Sequence, residues 1–336
     1  MQRKLMEGLK LLPQVEDVDY GVTAREEVWR DGKVVLYRFV GEQAPTRRTP
    51  LLIVYALVNR PYMVDLQADR SLVQKLLALG QDVYVLDWGY PDRSERFQTL
   101  EDYLLRYIDG AVDALRARSG GPVDLLGICQ GGVFALCYAA LRRQKLGKLI
   151  TMVTPVDFQT ADNMLSHWAR QVDVDLLVDT LGNIPADLMN ASYLMLKPFR
   201  LNVQKYVGLL DILDDKAALE DSCAWRSGSS IHRTWRARRS AIHQAVLSGQ
   251  WAGERHGADR RGSGGSVAGD AAGAEHLCRA GPSGATGCLA RDARALGTDD
   301  YTESSFRGGH IGIYVSGRAQ REVPATIDGW LKARDL

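Results

Sequence analysis

The sequence predicts an α/β fold: a mostly parallel sheet with helices on both faces. Three observations predict it. The continuous apolar runs at 51–55 and 83–86 and the mostly apolar runs at 123–126 and 149–153 read as buried strands. Segments with helical apolar spacing alternate with them, and a β-α-β-α-β-α-β order favours parallel strands joined by right-handed crossovers. A glycine-flanked cysteine, Gly127-Ile128-Cys129-Gln130-Gly131, falls between the third of these strands and its helix.

The elements follow in order. Val34–Phe39 reads as an early strand in a hairpin with Glu27-Val28-Trp29. Leu51–Tyr55 is the first buried strand, and Leu72–Leu79 a helix with its apolar residues at i, i+4 spacing. Val83–Asp87 is the second buried strand. Leu100–Ala117 is an amphipathic helix that starts after Thr99 as its N-cap. Val123–Leu126, the helix Val133–Leu141 and Leu149–Val153 complete the first part of the core, residues 1–159. Residues 160–220 carry helix formers without strand signals and read as a helical cap.

The next stretch departs from the rest of the chain. Residues 222–298 hold 13 Gly, 15 Ala and 11 Arg among 77 residues, with no Lys, Phe, Tyr or Asn, and no apolar period. Three readings compete: a basic disordered insert, a nucleic-acid arm with Trp225, Trp235 and Trp251 among arginines, and a GC-rich gene translated out of frame. Ordinary patterning resumes at 299 and runs to 336 as a C-terminal part of the core.

Composition narrows the function. The net charge of +1 offers no global attraction to nucleic acid or a membrane surface. No run of about 18 apolar residues predicts a membrane span. The basic start is not followed by the apolar stretch of a secretory signal. Five cysteines in 336 residues do not read as a disulfide framework, so a reducing compartment and a free thiol are expected.

The chemistry concentrates at Cys129. A strand, the G-x-C-x-G turn and a helix occur in the order of a nucleophile elbow, with cysteine in place of serine. Such a turn lifts its central residue over the strand ends. It aims the next amide, that of Gln130, at a developing oxyanion, and the helix N-terminus favours a thiolate. The plain alternative is a small buried cysteine beside a tight turn. Cys137, on the following helix, reads as core packing.

His310, in Gly308-Gly309-His310-Ile311-Gly312, is the expected base, on a late loop with small neighbours. His167 lies in the cap. His232, His243, His256 and His276 show no metal-ligand spacing, so no metal is expected. The loop Ala56–Tyr62 should supply a second oxyanion donor, assigned to the Val58 amide. Asp87-Trp88-Gly89 either shapes the pocket or is structural.

The runs LLIVYALVNRPY (51–62), DVYVLDWGYP (82–91), LLGICQGG (125–132), TMVTPVDF (151–158) and GGHIGIYVSG (308–317) resemble the catalytic subunit of class III poly(3-hydroxyalkanoate) synthases over about 20–220 and 299–336. The resemblance implies an α/β-hydrolase-like acyltransferase without a cofactor. It implies polymerisation of (R)-3-hydroxyacyl-CoA, chiefly 3-hydroxybutyryl-CoA, through a covalent cysteine thioester with release of CoA. It further implies a second synthase subunit, a growing polyester chain, and a cytoplasmic location at the granule surface. The family's nucleophile and base match Cys129 and His310. Its acid lies in a Q-D-H-L-V-P-P motif that this chain lacks. Residues 280–286 (AGPSGAT) permit codons that, read one base later with a TCN serine codon, spell that motif; this compatibility favours the out-of-frame reading and would spread the acid over the codons of Gly281 and Pro282. Asp157 is the fallback acid within the chain as written. The alternatives are a cysteine-nucleophile thioesterase or lactone hydrolase, told apart by free hydroxy acid instead of polymer, and an inactive scaffold subunit, told apart by a Cys129 that takes no substrate analogue.

Overall fold

A computed structural model describes residues 21–156, 164–196, 199, 235–236, 274–277, 300–306, 310 and 312–335. The hairpin strands are β1 (Arg25–Asp31) and β2 (Val34–Phe39), and the first buried strand is β3 (Pro50–Val54). A two-stranded ribbon follows, β4 (Asp65–Gln67) and β5 (Arg70–Ser71). Helix α1 (Leu72–Ala78) then starts on Ser71, whose hydroxyl accepts from the Gln74 amide. Next come β6 (Asp82–Asp87), a π-helical stretch at Asp102–Ile108 that runs into α2 (Asp109–Ser119), and β7 (Val123–Ile128). Helix α3 (Gln130–Arg142) and strand β8 (Leu146–Met152) complete the first part of the core.

The cap contributes α4 (Met164–Ala169), α5 (Val174–Leu181), β9 (Asn183–Ile184) and α6 (Ala186–Leu196). Short strands β10 (Trp235–Arg236) and β11 (Ala274–Leu277) precede β12 (Tyr301–Ser304), α7 (Gly312–Val315) and α8 (Ala319–Lys332). Among the described residues, no helix is long and apolar enough to cross a membrane.

The main sheet runs in the order β1-β2-β6-β3-β7-β8-β11-β12. The β1–β2 and β2–β6 pairs are antiparallel and the rest are parallel. Both faces are buried, and alternate residues feed two cores. Leu51, Ile53, Val83, Val85, Leu126 and Ile128 pack beneath α1 and α8. Leu52, Val54, Tyr84, Leu86, Val123 and Leu125 meet Tyr103, Tyr107, Phe134 and Tyr138 on the other side. That double burial is the reason these strands read as apolar runs.

Strand β3 has β6 on one side and β7 on the other, so the chain reverses its direction of travel across the sheet there. Loops leaving the carboxyl ends of β3 and β7 therefore diverge and open a crevice, the usual place for a site in an open α/β sheet.

The sequence expectations meet this architecture closely. Thr99 caps its helix as expected: its hydroxyl accepts from the Asp102 amide while the Asp102 carboxylate accepts from the Thr99 amide. The difference lies in the first turns, which widen into the π-helical stretch before α2. Of the expected cap, 160–220, residues 164–196 form helices α4, α5 and α6 with β9 added, and nearly all of the rest lies outside the described residues. Residues 222–298, expected to lack regular structure, contribute two short strands. β10 pairs with β9, and β11 lies between β8 and β12. Such ladders use backbone groups and need no side-chain pattern. The remainder of that stretch lies outside the described residues.

Candidate active site

The elbow is built as the sequence requires. Cys129 sits between β7 and α3 with φ 57° and ψ −124°, a left-handed φ that is costly for a residue with a side chain. Its amide donates to the Met152 carbonyl at 2.9 Å, and its own carbonyl accepts from the Gly132 amide at 3.0 Å. These two bonds tie the strained residue to β8 and to the first turn of α3. The helix also sits unusually close to the sheet. A Cβ on Gly131 would lie 2.0 Å from the Val54 carbonyl oxygen, and one on Gly127 would lie 2.5 Å from the Gly132 Cα. Glycine is therefore demanded here by backbone packing.

His310 meets Cys129 although about 180 residues separate them in the chain. The half-buried Cys129 thiol and the His310 imidazole share a hydrogen bond. Burial pushes the thiol up. The charge of His310, its hydrogen bond and the Gln130 amide outweigh that and hold the thiol below its ordinary range. Burial likewise pushes His310 down, and the Cys129 charge and hydrogen bond turn the net shift upward. Both shifts favour a thiolate–imidazolium pair.

The β3 loop faces this pair. Gln130 does more than the sequence suggested: its side-chain Oε1 accepts from the Leu57 amide at 3.1 Å and so fastens that loop to the elbow. Trp88 is buried, donates from its indole to the Tyr55 carbonyl at 2.9 Å, and packs edge-on against Tyr103 and Phe134. It supports the loop from behind, which resolves the Asp87-Trp88-Gly89 segment as structural. Asp87 pairs with Arg60 on the same loop. Leu57 and Val58 pack against Val174, Val178 and Ile184, and Leu177 and Met189 pack on the same cluster.

The cap brings one residue that motif reasoning missed. Tyr193, on α6, is half-buried. Burial and then the Cys129 charge push its phenol far above the ordinary range. The helix spacing Met189–Tyr193 was the available signal, since Met189 packs on the same Val174, Val178 and Ile184 cluster as Leu57 and Val58.

Cys137 is buried in the core, as read. His167 is exposed on the cap. Asp157 lies outside the described residues, as do His232, His243 and His256; His276 falls in β11.

Comparison with known proteins follows this geometry. A family model for the alpha/beta hydrolase fold matches residues 49–243. The poly(3-hydroxyalkanoate) polymerase subunit PhaC of Allochromatium vinosum is 46% identical over 348 residues, covering 99% of this chain and 95% of that protein. The chain belongs to the α/β-hydrolase fold and, within it, to the poly(3-hydroxyalkanoate) polymerase family. Another family member, from Synechocystis, is 41% identical and covers 98% of this chain and 90% of its own length. Among solved structures, a soluble variant of monoglyceride lipase from Saccharomyces cerevisiae superposes with a TM-score of 0.60 at 12% identity, covering 95% of this chain and 97% of that one. That likeness shows the fold alone. The polymerase family thus sets its polymerising site on the frame of a hydrolase.

Proposed function

We propose that the chain is the catalytic subunit of a polymerase that converts (R)-3-hydroxyacyl-CoA, chiefly 3-hydroxybutyryl-CoA, into polyester. The observation that carries this reading is the Cys129–His310 pair at the end of β7, in a chain of the polymerase family.

The proposed cycle uses only groups of this chain. His310 takes the Cys129 proton, and the thiolate attacks the thioester carbonyl. The Gln130 amide and the Val58 amide hold the resulting oxyanion; the Leu57 amide is already engaged by Gln130. Collapse breaks the carbon–sulfur bond to CoA. Its thiolate leaves with the proton from His310, and the acyl group stays on Cys129 as a thioester. Exchange between two sulfurs is nearly isoenergetic, so the acyl group is held without being trapped. A 3-hydroxyl then attacks the acyl-enzyme while His310 removes its proton. An ester forms, and Cys129 leaves as the thiolate beside a protonated His310. Water at this stage would give free hydroxy acid, so a cap over the site has a purpose.

No acid is assigned to His310 within the described residues. Strand β11 ends at Leu277, beside β8 and β12, and residues 280–286, which permit codons that spell the family's acid motif one base later, follow shortly after it in the sequence. That supports translation out of frame in this stretch. The reading also calls for a second synthase subunit and a place at the surface of the polyester granule.

The test is the product. Incubation with (R)-3-hydroxybutyryl-CoA should release CoA and yield insoluble polyester, and Cys129→Ala should do neither. Soluble 3-hydroxybutyrate as the sole product would instead assign a thioesterase.

A further inference from the structure

The loop after β3 crosses the crevice on a short bridge. Residues 57–60 join the buried end of β3, at Tyr55 and Ala56, to a helical turn, Pro61–Val64, in which Pro61, Met63 and Val64 are buried again. The bridge itself is half-buried, so polar ties as well as packing set its path. Gln130 fixes it on the elbow side by accepting from the Leu57 amide at 3.1 Å. Arg60 fixes the far side.

Arg60 reaches back to the turn that leaves β6. Its Nη1 donates to the Gly89 carbonyl at 2.9 Å and its Nη2 to Asp87 Oδ2 at 3.2 Å. The guanidinium also lies over the Tyr90 ring, 3.9 Å from the centroid. The receiving turn is itself set. Asp87 Oδ1 accepts from the Gly89 amide at 2.9 Å, and Gly89 holds φ +67° where a Cβ would meet the Lys33 carbonyl oxygen at 2.5 Å. A guanidinium can donate in its plane and stack through its face at once, which an ammonium cannot do. The Arg60 side chain is 17% exposed and its charge is paired with Asp87, so it is built as a brace. Asn59 Oδ1 accepts from the Arg60 amide at 2.8 Å, which carries the brace into the backbone beside Val58. Val58 therefore stands between two fastenings, one to the elbow and one to the end of β6.

We propose that Arg60 is a positioning residue that aims the Val58 amide at the oxyanion formed on Cys129. The inference rests on the polymerase reading and deepens it. Arg60 acts through the loop and not on the substrate. An oxyanion donor works only when it points at the place where charge develops. It is felt in the transition state more than in the bound substrate, so loosening it lowers the limiting rate and leaves half-saturation in place.

The experiment sets two reactions of Cys129 side by side in the full chain. Acylation by (R)-3-hydroxybutyryl-CoA, read as single-turnover release of CoA, passes through an oxyanion. Alkylation by iodoacetamide displaces iodide from a saturated carbon and forms none. Arg60→Met should lower the limiting acylation rate roughly ten- to hundredfold, at or below the loss for a donor removed outright. The half-saturating concentration and the alkylation rate should each stay within about twofold. Arg60→Lys keeps a charge beside Asp87 without the fork and should recover part of the loss. If Arg60→Met does not fold, the same split between the two reactions is read in Arg60→Lys. An unchanged acylation rate, or an equal loss in both reactions, would overturn the brace while polymer formation by the wild type leaves the polymerase reading standing. A raised half-saturating concentration with an unchanged limiting rate would also overturn it, and would make Arg60 a ligand for the CoA phosphates. A wild type that is alkylated but releases no CoA and makes no polymer would overturn both.

Discussion

At the scale of single residues, the account turns on how Cys129 is activated. Its thiol is half-buried, which alone would make it a poor nucleophile. His310 and the Gln130 amide reverse that. The rate of Cys129 alkylation by iodoacetamide should therefore rise with pH through a midpoint below the ordinary thiol range. In His310→Gln the charge that lowers the thiol is gone and the burial that raises it stays, so the midpoint should move up. The same variant should slow turnover by about 10² or more, the loss expected for a missing general base. An unmoved midpoint would mean that the two side chains do not interact. The pairing of Cys129 with His310 was legible in the sequence, because strand, turn and helix surround one and small residues flank the other. Tyr193 was not. It stands in an ordinary helical stretch, and only the fold of the cap over the elbow gives it a neighbour worth noting.

At the scale of elements, the elbow works because β7, α3 and β3 approach more closely than side chains allow. Gly131→Ala should cost several kcal/mol, since the new Cβ would meet the Val54 carbonyl oxygen at 2.0 Å and the backbone there has no room to yield. Urea unfolding measures this directly. The buried strands were readable from their apolar runs. The β4–β5 ribbon was not, because its five residues are polar except for Leu66 and too few to show a period. What stabilises it is long-range: the buried Asp65 carboxylate accepts from the Thr23 amide at 3.0 Å and from the Ser71 hydroxyl at 2.6 Å. At the opposite edge from the site, Arg47 bonds Asp124 at 2.5 Å and Asp335 at 2.7 Å, and Lys148 reaches Asp335 at 2.6 Å. These contacts fasten the end of the chain beyond α8 to the amino ends of the strands. Arg47→Met removes the guanidinium from the fully buried Asp124 carboxylate, which still accepts from the Lys148 amide at 2.7 Å, and should destabilise the fold by about 3 kcal/mol. Asp335 carries a milder and pH-dependent share. Its hydrogen bond to Arg47 holds its carboxyl down to about 2 from an ordinary 3.8. Its contribution is then complete above the ordinary value and is lost as pH falls through the folded one. The stability difference between wild type and Asp335→Asn should be constant near neutrality and should shrink in acid between those two values. Solvent at the partly exposed carboxylate keeps it small.

At the scale of the whole molecule, one chain reversal at β3 opens the crevice beside which Cys129 stands. The α/β class was legible from residues 20–156 because both faces of the sheet are covered and each strand declares itself. The far edge was less so: β11 comes from a stretch without apolar period and was invisible to pattern, since its ladder to β8 and β12 needs only backbone groups. If that stretch is translated out of frame, sequencing the gene across codons 215–300 should show bases inserted or lost, and restoring the frame should raise activity by supplying the acid for His310. Addition of the second synthase subunit should raise activity further, read as CoA release per catalytic chain. The central claim is that the acyl group travels on Cys129. It is tested most directly by mixing the full chain with (R)-3-hydroxybutyryl-CoA, quenching in acid, and weighing the peptide that contains residue 129. The account predicts a 3-hydroxybutyryl adduct on that peptide in the wild type and in His310→Gln at longer times, and none in Cys129→Ala. An adduct on another residue, or polymer made by Cys129→Ala at close to the wild-type rate, would contradict it.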